Sequence, residues 1–110
     1  MFVIEKYTNK ITLTRGDSAE IAVSLTDNLD IPYEMQEGDT LTLSVKRQIG
    51  DEEYLLQKTI DTDTFKLEPD DTNSLLFGRY IYDIELTTNS GKVHTVIPLS
   101  TFVIAEEVTV

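Results

Sequence analysis

Few residues in this chain are of a type that does chemistry, and their spacing favours turns over reactive sites. Arg15-Gly16-Asp17 matches the tripeptide that integrins bind, a cation and a carboxylate presented from an exposed loop. It falls between two alternating apolar runs, where Gly16 and Asp17 suit a tight turn, so the turn is the expected role. Asp61, Asp63, Asp70 and Asp71 would have to converge to give calcium its roughly six to eight oxygens. They lack the D-x-[DN]-x-[DN]-G spacing of a calcium loop, so they read as solvated loop charge and no metal is expected.

His94 is the single histidine and cysteine is absent, which leaves no thiolate zinc site, no histidine-rich zinc site and no cysteine nucleophile. None of Ser18, Ser24, Ser44, Ser74, Ser90 and Ser100 stands in a G-x-S-x-G turn. Glu106 and Glu107 are adjacent on an extended segment and point to opposite faces, so they do not form a carboxylate pair across a cleft. No glycine-rich phosphate loop is present. The chain is expected to be no enzyme and to use no cofactor.

The elements that must position these residues are strands. Tyr80, Tyr82, Ile84 and Leu86 alternate with Ile81, Asp83 and Glu85, a period of two that marks a strand with one buried face. Asn89-Ser90-Gly91 supplies a turn, and the β-rich run after it makes a hairpin. Upstream, Ile11 and Leu13 alternate, as do Ile21, Val23 and Leu25, then Leu41, Leu43 and Val45. Tyr54 to Ile60 and the short run of Phe65 and Leu67 follow. Turn clusters at residues 27–32, 37–39 and 50–51 separate them. Pro69 to Leu76 reads as one helical turn, with Pro69 at its first position and Gly78 as a stop. Seven or eight short strands with such turns predict an all-β sandwich.

Size and charge bound the partners. At 110 residues the chain is expected to form a single domain over residues 1–110, burying roughly 65% of its unfolded surface. Twenty acidic residues against nine basic ones give a formal charge of -11. That field repels phosphate backbones and anionic lipid, so neither nucleic acid nor a membrane is an expected partner. The start Met1-Phe-Val-Ile-Glu-Lys lacks the basic region of a signal peptide, and no apolar run approaches the ~20 residues of a membrane span.

In immunoglobulin-like sandwiches a tyrosine at the start of the penultimate strand buries its ring and ties its hydroxyl to backbone a few residues upstream. Tyr80, after the turn that begins at Leu67, is the candidate for that structural corner; the alternative is a plain core tyrosine.

The order of motifs carries a resemblance. Arg15-Gly16-Asp17-Ser18 is followed by Ile31-Pro32-Tyr33-Glu34 and Gly38-Asp39-Thr40-Leu41, then Leu67-x-Pro69-x-Asp71-Thr72. Phe77-Gly78-x-Tyr80-x-Tyr82-Asp83-Ile84 and Gly91-x-Val93-x-Thr95-Val96-Ile97-Pro98 continue it, and Phe102-x-Ile104 closes it. Over residues 10–108 this resembles small proteins of tailed phages and prophages of Gram-positive bacteria, especially the N-terminal domain of the lactococcal phage upper baseplate protein. The resemblance implies an immunoglobulin-like antiparallel β-sandwich that attaches to a virion and oligomerises there. It implies other virion proteins as partners, with a homo-oligomer as a further option, and synthesis in a bacterial cytoplasm before incorporation into the particle. The chain departs from that pattern in ending at Val110 with no helical or receptor-binding region, which favours a structural or accessory virion protein over a linker. A sandwich module binding a carbohydrate or peptide is the alternative.

Tyr33, Met35, Tyr54, Leu55 and Leu56 lie in or beside loops and an edge segment. As interaction candidates they would dock a neighbouring subunit, tyrosine and methionine being enriched in interface cores; otherwise they complete the domain's own core. The apolar segments Phe2-Val3-Ile4 and Val108-Thr109-Val110 would serve as strands added to a partner's sheet edge.

Overall fold

The alternation read from the sequence becomes two facing sheets. The structure, a computed structural model, describes residues 2–4, 9–26 and 31–106, with residues 2–4 described as backbone alone. Eight strands run in chain order with one short helix: β1 (Phe2–Ile4), β2 (Ile11–Thr14), β3 (Ala19–Ala22), β4 (Thr40–Lys46), β5 (Leu56–Ile60), β6 (Thr64–Leu67), α1 (Pro69–Thr72), β7 (Gly78–Thr87) and β8 (Val93–Ala105). The large sheet has the order β1-β2-β8-β7-β4-β5, and β3 pairs with β6 in the small one. All pairings are antiparallel except β2 with β8, which places the second strand of the chain alongside the last. Among the described residues this is an all-β, immunoglobulin-like sandwich of eight strands with one short helical turn.

Register puts the apolar sets opposite one another. Leu41, Leu43 and Val45 of β4 pair with Leu86, Ile84 and Tyr82 of β7. Tyr80 of β7 pairs with Phe102 of β8, and Phe102 with Ile11 of β2. Ile21 faces them from the small sheet beside Phe65. All of these are buried, and Phe65, Phe102, Leu13, Leu41, Leu43 and Ile84 are sealed from solvent completely. In antibody domains a cysteine of the inter-sheet disulfide follows the corner tyrosine by two residues. Here Tyr82 holds that place, its ring edge-on to Phe102 at 5.9 Å and its hydroxyl donating to the Asn9 carbonyl. Both rings belong to the large sheet, so this contact joins neighbouring strands, and the two sheets meet through the buried apolar core.

Tyr80 sits at the corner. It is buried, and its hydroxyl donates to the Leu76 carbonyl at 2.5 Å. The hairpin is closed by Thr88 N–H to Lys92 O and Gly91 N–H to Thr88 O, with Gly91 in the left-handed region at φ 88°.

Two expectations need correction. The helical turn ends at Thr72, not Leu76, because Asn73 N–H closes onto Pro69 O and Leu75 then turns to pack against the core. Phe2–Ile4 is not a free tail: it pairs with β2 of its own chain, Phe2 opposite Leu13 and Ile4 opposite Ile11, and forms an edge of the large sheet. Residues 108–110 and Glu107 lie outside the described residues, and Glu106 lies beyond the end of β8.

Candidate functional site: a cleft on the outer face of the large sheet

Residues of β4 and β7 that alternate with the core set point outward, and a single irregularity turns part of that face into a cleft. Tyr82 pairs with Ser100 but Ile84 pairs with Ile97, so Pro98 and Leu99 of β8 stand opposite Asp83 alone. A proline has no N–H to give a ladder and is accommodated at such a bulge. Ser100 Oγ donates to the Pro98 carbonyl at 2.7 Å and holds it. A second shift follows between Ile84 and Glu85, which is why Val96 and Ile97, adjacent in sequence, both pack against the core. Leu99 is thereby left on the outer face, 55% exposed, beside Asp83.

The cleft encloses about 200 Å³. Its floor is Ser44, Ile81, Asp83 and Glu85; its rim is Leu99 on one side and Ile49 and Tyr54 of the β4–β5 loop on the other. That loop is shaped by Lys46, whose Nζ donates to the Asp51 carbonyl at 2.7 Å and lies 4.6 Å from the centre of the Tyr54 ring. The ammonium is thus held at the rim. Neither Asp83 nor Glu85 has a side-chain hydrogen bond or an ion pair among the described residues.

The five interaction candidates separate. Tyr33, Met35 and Leu56 pack against the core; Tyr54 and Leu55 stay exposed, and Tyr54 lines the cleft. The Tyr33 hydroxyl donates to Asp39 Oδ2 at 2.5 Å. Asp39 is buried, and it also accepts Gln36 N–H at 2.9 Å and Asn89 N–H at 2.8 Å, fastening the loop before β4 to the β7–β8 hairpin. The Tyr33 hydroxyl first, then the backbone donors, hold the Asp39 carboxyl below its usual range against the opposing effect of burial. The same bond, with burial and the nearby charge, raises Tyr33. Tyr82 is pushed up to about 12 by burial.

The remaining motif residues serve the fold. Gly16 N–H donates to Oγ1 of the buried Thr72 at 3.0 Å, tying the β2–β3 turn to α1, and the Arg15 guanidinium lies 4.4 Å over the Phe77 ring. Arg15-Gly16-Asp17 is therefore a built-in turn whose cation rests on the protein's own surface. Asp71 accepts Glu68 N–H at 2.7 Å and pairs with Lys58 Nζ at 2.7 Å, while Lys58 also donates to the Lys66 carbonyl. Asp63 accepts the Thr64 hydroxyl. Among the described residues no three His, Cys, Asp or Glu side chains gather to hold a metal. His94 is exposed on β8.

Sequence reasoning passed over Ile49, Ile81, Asp83, Glu85 and Leu99 as a group. The usable signals were Ile81, an isolated apolar residue on the polar face of its strand, and Pro98, which breaks the period of two just before Leu99. The chain matches no family profile, no curated protein and no solved structure at a significant level.

Proposed function

We propose that this chain is a structural, assembly component of a tailed-phage or prophage particle, acting without catalysis through protein–protein contacts made by the outer face of its large sheet. The observation that carries the contact surface is the cleft: exposed Ile49, Tyr54 and Leu99 stand around half-buried Ile81 on a sheet face that has no layer packed on it among the described residues. Apolar and aromatic side chains gathered in a depression are the make-up of an interface core. The particle assignment rests on the resemblance of residues 10–108 to the upper baseplate domain.

The carbohydrate reading is less well supported. Sugars stack on flat rings, and the exposed aromatics among the described residues are Tyr54 and Phe77. Each already carries a cation, Lys46 and Arg15 respectively, and only Tyr54 lines the cleft.

The test is particle association. Virions released by the strain that encodes the chain are banded on a density gradient and probed for it, with wild type compared against Leu99→Asp. Wild-type chain should band with the particles and the variant should stay behind at the top of the gradient. Wild-type chain found entirely with free protein would end the virion reading.

A further inference from the structure

The cleft has a shape and a charge that choose an occupant. Its ~200 Å³ is the volume of about seven waters, room for one large side chain rather than a folded surface. Interface energy concentrates in anchor residues that fill such pockets, and arginine, tryptophan and tyrosine are the common ones. The apolar rim of Ile49 and Leu99, with Ile81 beneath, would receive any of the three. The floor discriminates between them. Asp83 and Glu85 lie two residues apart on one face of β7, about 6.6 Å along the strand. Neither forms an ion pair among the described residues: the ammonium of Lys46, which also lines the cleft, is turned to the Asp51 carbonyl and the Tyr54 ring, so the two carboxylates outnumber it and leave the floor net negative.

Resting on the docking role proposed above, we infer that the cleft accepts an arginine side chain from a different, basic protein segment. Its methylene stem would lie along Ile81 and Leu99 and its guanidinium would reach Asp83 and Glu85. A guanidinium suits this floor better than an ammonium, because its planar fork donates to two carboxylates at once and its stem is content against apolar surface. A second copy of this chain fits poorly, because each copy brings a formal charge of -11 to the contact. The β4–β5 loop at the rim adds Asp51, Glu52 and Glu53, which steer a basic segment toward the cleft.

The experiment is amide-resolved NMR of the full chain titrated with N-acetyl-argininamide, its neutral isostere N-acetyl-citrullinamide, and N-acetyl-leucinamide. The arginine probe should give saturable shifts confined to residues 44–54, 81–85 and 99. Its affinity should exceed that of the citrulline probe at least about tenfold, the scale of a charge-assisted hydrogen bond. Asp83→Asn with Glu85→Gln should abolish that difference while leaving the thermal midpoint in place, which separates lost recognition from lost fold. If the citrulline and leucine probes bind the cleft as tightly as arginine, the cationic anchor is wrong and the docking surface stands. If no probe perturbs the cleft, both fall. Shifts spread across the acidic surface without saturation would also overturn the inference.

Discussion

Replacing Tyr80 by phenylalanine tests whether the corner hydrogen bond or the buried ring holds the crossing between the sheets. The ring is 4% exposed and its hydroxyl donates to the Leu76 carbonyl at 2.5 Å. Tyr80→Phe keeps the ring and deletes one hydrogen bond, which is worth about 1 kcal/mol net. The larger penalty for orphaning a buried acceptor does not apply, because Leu76 is 66% exposed and water can replace the hydroxyl. Unfolding entropy of about 2.1 cal/mol/K per residue gives the 110-residue chain roughly 0.23 kcal/mol/K, so Tm should fall by about 4 °C. Tyr80→Ala also removes the ring and should cost about 3–5 kcal/mol, a large part of the roughly 5–15 kcal/mol such a domain has. Thermal melts by circular dichroism, paired with urea titrations showing an unchanged m-value for Tyr80→Phe, measure both. A Tm within about 1 °C of wild type for Tyr80→Phe would show that the bond is idle. A fall equal to that of Tyr80→Ala would show that the hydroxyl, and not the buried ring, holds the corner.

Two further predictions concern the loop fastened by Asp39. Gly38 has φ 90°, and a Cβ there would come within 2.9 Å of the Asn89 Cβ, so Gly38→Ala should destabilise by about 1–3 kcal/mol in urea unfolding; Gly50→Ala, with a similar φ but open space around it, should cost less. Because Asp39 has a lowered pKa in the folded chain, its contribution is fully present above the unfolded value near 3.8 and is lost as pH falls through the lower folded value. Tm measured from neutral pH down to ~2 should therefore show wild type above Asp39→Asn, with the gap closing below about 3.8; a gap that stays constant with pH would remove the carboxylate from this role.

The period-two runs determined most of the fold without help. Leu41, Leu43 and Val45, or Tyr80, Tyr82, Ile84 and Leu86, have one way to bury their apolar side chains, and register follows because a one-residue slip would expose all of them. Turn residues placed the breaks, and the absence of cysteine required a core that needs no cross-link, which Ile21, Phe65 and Leu67 of the small sheet supply by packing with the apolar face of the large one. The sequence also held the corner tyrosine, since its role depends on local spacing to Leu76. Long-range placement was a different matter. That Asp39 fastens its loop to Asn89, and that Gly16 is tied to Thr72, depend on contacts between segments whose separate patterns carry no record of each other. The cleft belongs to this second kind. Asp83, Leu99, Ile49 and Tyr54 meet only because β8 bulges at Pro98–Leu99 and the β4–β5 loop folds back over Lys46, so their proximity was decided by sheet geometry in three dimensions.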